Sequence, residues 1–128
     1  MVFQSQGVWS EAERLYKEAL DRKDGLSQTH FNLGYVYLEQ GRFKLAVREN
    51  ERVLELDPPN ADAHVNLASA WLGLAAPERA LSAYESALEL LQDGDENRRR
   101  VLTQLALLKQ EIASVTASSE SSATQGAR

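Results

Sequence analysis

The chain has 128 residues, 43% hydrophobic and 26% charged, with a formal net charge of −5, which suits one globular domain. The acidic balance excludes phosphate neutralisation as a driving force for nucleic-acid binding, and no run approaches the ~20 apolar residues that span a bilayer. The absence of cysteine removes disulfides, thiolate nucleophiles and Cys-based zinc sites. The opening, Met1 to Gln6, has neither the basic nor the apolar region of a secretory signal, so a soluble, cytoplasmic protein is expected.

Taken in chain order, residues 7–24 make the first helical pattern, with Trp9, Ala12, Tyr16, Ala19 and Leu20 on its apolar side. Phe31, Leu33, Gly34, Tyr37 and Leu38 make a second, which Gly41 ends. Phe43, Ala46, Val47, Val53, Leu54 and Leu56 make a third, stopped by Asp57-Pro58-Pro59-Asn60. A fourth helix is expected near residues 61–74, with a turn at Ala75-Ala76. Pro77 then stands at a tolerated first-turn position of a fifth, which carries Ala80, Leu81, Tyr84, Ala87, Leu88 and Leu91. Asp93-Gly94-Asp95-Glu96 opens a sixth with acidic residues suited to the positive end of its dipole. Val101, Leu102, Leu105, Leu108 and Ile112 are expected on its apolar face. Residues 114–128 form a Ser/Thr/Ala-rich tail with little to bury, expected to be disordered. No strand-like alternation competes, so the fold class is all-α.

The helices repeat. A shift of 34 residues places His30 on His64, Asn32 on Asn66, Leu33 on Leu67, Gly34 on Ala68, Tyr37 on Trp71, Ala46 on Ala80 and Leu54 on Leu88. The same step takes Tyr84 through Asn50 to Tyr16, and Ala46 to Ala12. A period of this length means stacked supersecondary units, here helix pairs. Small residues at 34, 46, 68 and 80 mark where the two helices of a unit cross closely. Residues 7–24 fall in the register of a second helix, with too few residues before them for a first. Either the chain is part of a longer repeat protein, or this face docks on something, a second copy included.

Chemistry-bearing clusters are not found. His30 and His64 stand at equivalent packing places, and a metal would need further ligands at ~2 Å. No Ser-His-Asp grouping, Gly-rich phosphate loop or isolated carboxylate pair can be singled out. Arg98-Arg99-Arg100 reads as a solvated helix end. No catalysis, metal or cofactor is expected.

The pattern resembles the tetratricopeptide repeat. His30-Phe31-Asn32-Leu33-Gly34-Tyr35-Val36-Tyr37, Ala46 and Pro58 fit it, with Asn50 in the late aromatic place. His64-Val65-Asn66-Leu67-Ala68-Ser69-Ala70-Trp71, Ala80 and Tyr84 also fit, with Gln92 replacing the proline. The resemblance implies an α-solenoid of about six helices. It divides the chain into an incomplete repeat (1–26), repeats at 27–60 and 61–94, a capping helix (95–113) and the tail (114–128).

It also implies a concave groove, lined by first helices, that takes a peptide or helix of a partner protein in an adaptor or scaffold role. That surface would comprise Gln28, Phe31, Asn32, Tyr35 and Glu39, then Asp62, Val65, Asn66, Ser69 and Leu72, with Glu96, Arg99, Arg100 and Thr103 from the cap. Chaperone-binding members grip a carboxylate with a Lys/Asn/Asn/Lys/Arg set. Here Asn66 and Arg100 match, while Phe31, Tyr35 and Glu96 depart, and an acid at 96 would repel the ligand. The alternatives are the repeat region of a larger enzyme such as a glycosyltransferase, or self-association through the N-terminal helix.

Overall fold

The computed structural model describes the backbone of residues 2–21 and 26–126 and the side chains of residues 7–20 and 26–117. Six helices and no strand occur among them: α1 (Val2–Asp21), α2 (Leu26–Glu39), α3 (Phe43–Leu56), α4 (Ala61–Gly73), α5 (Pro77–Leu90) and α6 (Glu96–Gly126). Each helix packs on the next in sequence, and α2 also packs on α4. This is an all-α solenoid of helix pairs, α2 with α3 and α4 with α5.

Local chemistry sets the helix ends. Gly41 has φ 72°, and the Arg42 N–H donates back to the Tyr37 carbonyl at 2.8 Å, closing α2 with the left-handed turn that glycine favours. The equivalent turn after α4 has the same bond, from the Ala76 N–H to the Trp71 carbonyl at 2.9 Å. Its left-handed residue is Ala75, with φ 57°. A side chain there meets the following carbonyl, so Ala75→Gly should stabilise the fold by about 1 kcal/mol. A urea midpoint that rises at unchanged slope is the expected result, and an unchanged or lowered midpoint would contradict it. α4 starts from Asn60, whose Oδ1 accepts from the Ala63 N–H at 3.0 Å. Arg98 closes the end of α5, its Nη1 donating to the Leu88 carbonyl at 2.9 Å and the Leu91 carbonyl at 3.2 Å.

The end helices exceed the sequence reading. α1 begins at Val2 rather than near Gly7, and α6 runs to Gly126 rather than stopping at residue 113. Residues 114–126 therefore continue the helix where a tail is expected; residues 127–128 and 22–25 lie outside the described ones. Nothing in these segments stops a helix: neither residues 2–6 nor residues 114–125 contain a proline or a glycine.

The core follows the 34-residue register. Leu33, Tyr37, Ala46, Val47, Leu67, Ala68, Ala80, Tyr84 and Ala87 form one buried cluster, extended by Val101, Leu105 and Leu108 of α6. Leu102, expected on the same face, is exposed instead, because no helix packs on that side of α6 among the described residues. Asn50 takes the aromatic place and is wholly buried. Its Nδ2 donates to the Ala46 carbonyl at 2.9 Å, and its Oδ1 has no partner among the described residues. Gly34 faces it so closely that a Cβ would stand 2.6 Å from that Nδ2.

Glu13 ties α1 to the first repeat. Its carboxylate accepts from the Tyr37 hydroxyl at 3.0 Å and pairs with Arg42 and Lys17, each at 3.0 Å, while Arg42 also lies over the Tyr37 ring. Burial pushes the carboxyl up. Hydrogen bonds from Lys17 and Tyr37 and the charges of Arg42 and Lys17 outweigh it, so Glu13 is held below its ordinary value. A depressed carboxyl stabilises the fold fully above its unfolded pKa of about 4.3, and that contribution is lost as pH falls through the folded value. Glu13→Gln should therefore flatten the acid limb of the stability curve measured by urea unfolding. An identical acid slope in both proteins would remove Glu13 from this role.

Candidate protein-binding face

Helices α2 and α4 are the first helices of adjoining units and lie side by side. The inward side of α2 is Thr29, Leu33, Val36 and Tyr37; that of α4 is Ala63, Leu67, Ala68 and Ala70. The candidate residues occupy the other side of each helix. Gln28, Tyr35 and Glu39 are exposed on α2, with Phe31 and Asn32 half-buried between them; Asp62, Ser69 and Leu72 are exposed on α4, with Val65 and Asn66 half-buried. Steps of three and four residues place each set along one stripe. Glu96, Arg99, Arg100 and Thr103 are exposed on the first turns of α6, which packs on α5; the Thr103 hydroxyl donates to the Arg99 carbonyl at 3.1 Å.

The two asparagines of the stripe differ. Gln28 Nε2 donates to Asn32 Oδ1 at 2.9 Å, which orients that amide. Asp62 stands in the place of Gln28 and, among the described residues, makes no such bond, and Asn66 Nδ2 is buried without a partner there. Asn66 is thus the member of the pair whose amide carries a buried, unused hydrogen-bond donor.

Trp9 was not among the sequence candidates, yet it forms one wall of this face. Its ring meets the Tyr35 ring edge-on, with centroids 6.0 Å apart and planes at 72°. The register explains the contact. Phe43, which matches Trp9, lies flat on Gly73, where a Cβ would stand 2.5 Å from the ring. Glu39 matches Gly73 and leaves no bare backbone, so Trp9 meets α2 one turn earlier, at Tyr35. The signal was present in the sequence as the pairing of Trp9 with Phe43.

The histidines differ as well. His30 Nδ1 pairs with Glu49 at 2.5 Å. In the second unit Ala83 replaces Glu49, and His64 borders an open cavity of about 410 Å³ lined also by Trp71, Arg79, Ser82 and Ser86. Burial holds His64 below its ordinary pKa, opposed by Glu89. Among the described residues no group of three or more His, Asp or Glu could hold a metal ion, and no helix is long and apolar enough to cross a membrane.

The family model for the tetratricopeptide repeat matches residues 1–61 and again residues 31–95. Among curated proteins, protein O-mannosyl-transferase TMTC3 of Homo sapiens is 33% identical over 81 residues, covering 62% of this chain and 9% of that protein. The solution structure of protein BPP2914 from Bordetella parapertussis superposes with a TM-score of 0.69 at 25% identity, covering 79% of this chain and 90% of that one. A structure of the MamA RS-1 ArsTM double mutant gives a TM-score of 0.63 at 20% identity, covering 85% and 70% of the two chains, and shares the fold.

Proposed function

Because this chain belongs to the tetratricopeptide-repeat family, we propose that it is a protein-interaction module, binding an extended peptide or a helix of another protein along the α2–α4 face. The observation that carries this reading is the exposure of Tyr35 (46%) and Leu72 (41%) on adjoining first helices whose other large apolar residues are buried or half-buried. Braced by Trp9, Tyr35 is a pre-oriented aromatic anchor, the residue type that dominates interface energies. Asn32 and Asn66 flank the anchors with amides able to bond a peptide backbone. The role is that of an adaptor or scaffold, and the fold is typically that of a non-catalytic module.

A second reading rests on the 33% identity to an O-mannosyl-transferase. This chain spans only 9% of that relative. In this reading the repeats are one region of a larger transferase, and the same face positions its protein substrate. A native transcript that joins these repeats to a transferase domain favours it.

Photo-cross-linking tests the shared premise. A photoreactive residue replacing Ser69, on the face, should capture a partner that one replacing Glu85, exposed on α5, does not. Tyr35→Ala/Leu72→Ser should abolish the capture without loss of helicity by circular dichroism. Equal capture from both positions, or capture that survives the double substitution, would place the function elsewhere.

A further inference from the structure

The two repeats differ at one corner of the helix pair. In the first, His30 on α2 and Glu49 on α3 close it, Nδ1 to carboxylate at 2.5 Å, with both side chains mostly buried. In the second, the 34-residue step puts His64 in the place of His30 but Ala83 in the place of Glu49. His64 is half-buried, and its ring makes no hydrogen bond among the described residues. An open cavity of about 410 Å³ lies against both residues, within the size range of small-molecule sites.

This cavity is on the opposite side of α4 from the proposed protein-binding face and is independent of it. His64, Leu67 and Trp71 follow at three- and four-residue steps on α4, and Arg79, Ser82 and Ser86 of α5 line the facing wall. The Arg79 guanidinium lies over the Trp71 ring, 4.7 Å from its centroid, which holds a cation at the cavity. Among the described residues that guanidinium pairs with no carboxylate. The Ser82 and Ser86 hydroxyls add two donors, while Leu67, Trp71 and Ala83 supply apolar wall.

We propose that this cavity binds a carboxylate, which takes on His64 the place that Glu49 takes on His30. His64 and Arg79 hold the anion, the two serine hydroxyls donate to its oxygens, and a short apolar body rests on Leu67 and Trp71. Charge selects among anions. Glu78 lines the cavity and Glu89 acts on His64 from the same helix, whereas no charged residue of α2 or α3 lines it. Two nearby acids disfavour a dianion such as a phosphate monoester and leave a single negative charge as the better fit. Burial favours the neutral imidazole and a bound carboxylate favours imidazolium, so binding should tighten as pH falls from neutral towards about 5.

Proton NMR of the full chain tests this, since His30 and His64 are its two histidines, and His64→Gln assigns their ring signals. The probes are propionate, a glutamate residue blocked at both ends, and inorganic phosphate, all at matched ionic strength. At least one of the two carboxylates should move the His64 signals saturably and leave those of His30 in place. It should also raise the midpoint of the His64 titration by about one pH unit, a tenfold change in proton affinity. A response to propionate alone points to a free small acid, and a response to the blocked glutamate to a side chain of a partner. Ala83→Glu, with circular dichroism to confirm its fold, should set the chain's own carboxylate on His64 and cancel the response. The proposal is overturned if neither carboxylate moves the His64 signals beyond those of His30, or if phosphate acts as strongly. A folded Ala83→Glu variant that responds as the wild type does overturns it as well.

Discussion

Leu33→Ala should cost about 2–5 kcal/mol, a large part of the 5–15 kcal/mol that a domain of this size typically has. Leu33 is 1% exposed and belongs to the same cluster as Tyr37, Ala46, Leu67 and Ala68, contributed by α2, α3 and α4. The cavity left by alanine is therefore bounded by three helices whose crossings are already set by small residues, and these cannot close inward to fill it. Urea unfolding followed by circular dichroism measures the loss. Trp9 on α1 and Trp71 on α4 add a second readout, since loosening the first unit should separate their fluorescence transitions. A loss below about 1 kcal/mol would mean that the site collapses around alanine, and that the packing at Leu33 is looser than its burial indicates.

Asn50→Asp is the second large effect, on the order of 3 kcal/mol or more at neutral pH. The substitution changes almost no volume but replaces the Nδ2 donor with an oxygen facing the Ala46 carbonyl, in a place with no exposure to solvent. Among the described residues no cation is paired with Asn50, so burial would push the new carboxyl up. The sign follows from that shift: the penalty is full where the buried carboxyl is ionised and fades as acid protonates it, because the neutral acid can again donate to Ala46. The variant should thus regain stability relative to the wild type between neutral pH and about pH 4, near the unfolded carboxyl value. Asn50→Asp matching the wild type at neutral pH would show that water reaches the Asn50 amide.

Most of the fold was legible because one register governs it. Gly41 and Ala75 end their helices at matching places, and Ala46 and Ala80 are buried to the same degree. The extents of α1 and α6 were not legible. Nothing in those sequences breaks a helix, and composition alone does not separate an exposed helix from a solvated tail. That the candidate residues share one side of α2 and one side of α4 followed from three- and four-residue spacing, whereas the contact of Trp9 with Tyr35 was signalled only by the match of Trp9 to Phe43. Trp9 meets Tyr35, whereas its match Phe43 meets the bare backbone of Gly73, whose own match is Glu39. Asn50 looked like a departure from an aromatic pattern, and its burial against Gly34 makes it a packing residue instead.

Because each helix touches little beyond its sequence neighbours, the molecule has a mechanical character of its own. A pull on its two ends loads the helix joints in series, as in a chain of hinged plates, and no long-range strand pairing shares the tension. Such a body yields by peeling inward from its termini at low force and recoils readily, since every contact it must remake is with a segment close by in the chain. A partner bound on the proposed α2–α4 face would bridge neighbouring plates and register as a splint that raises the force needed to part them.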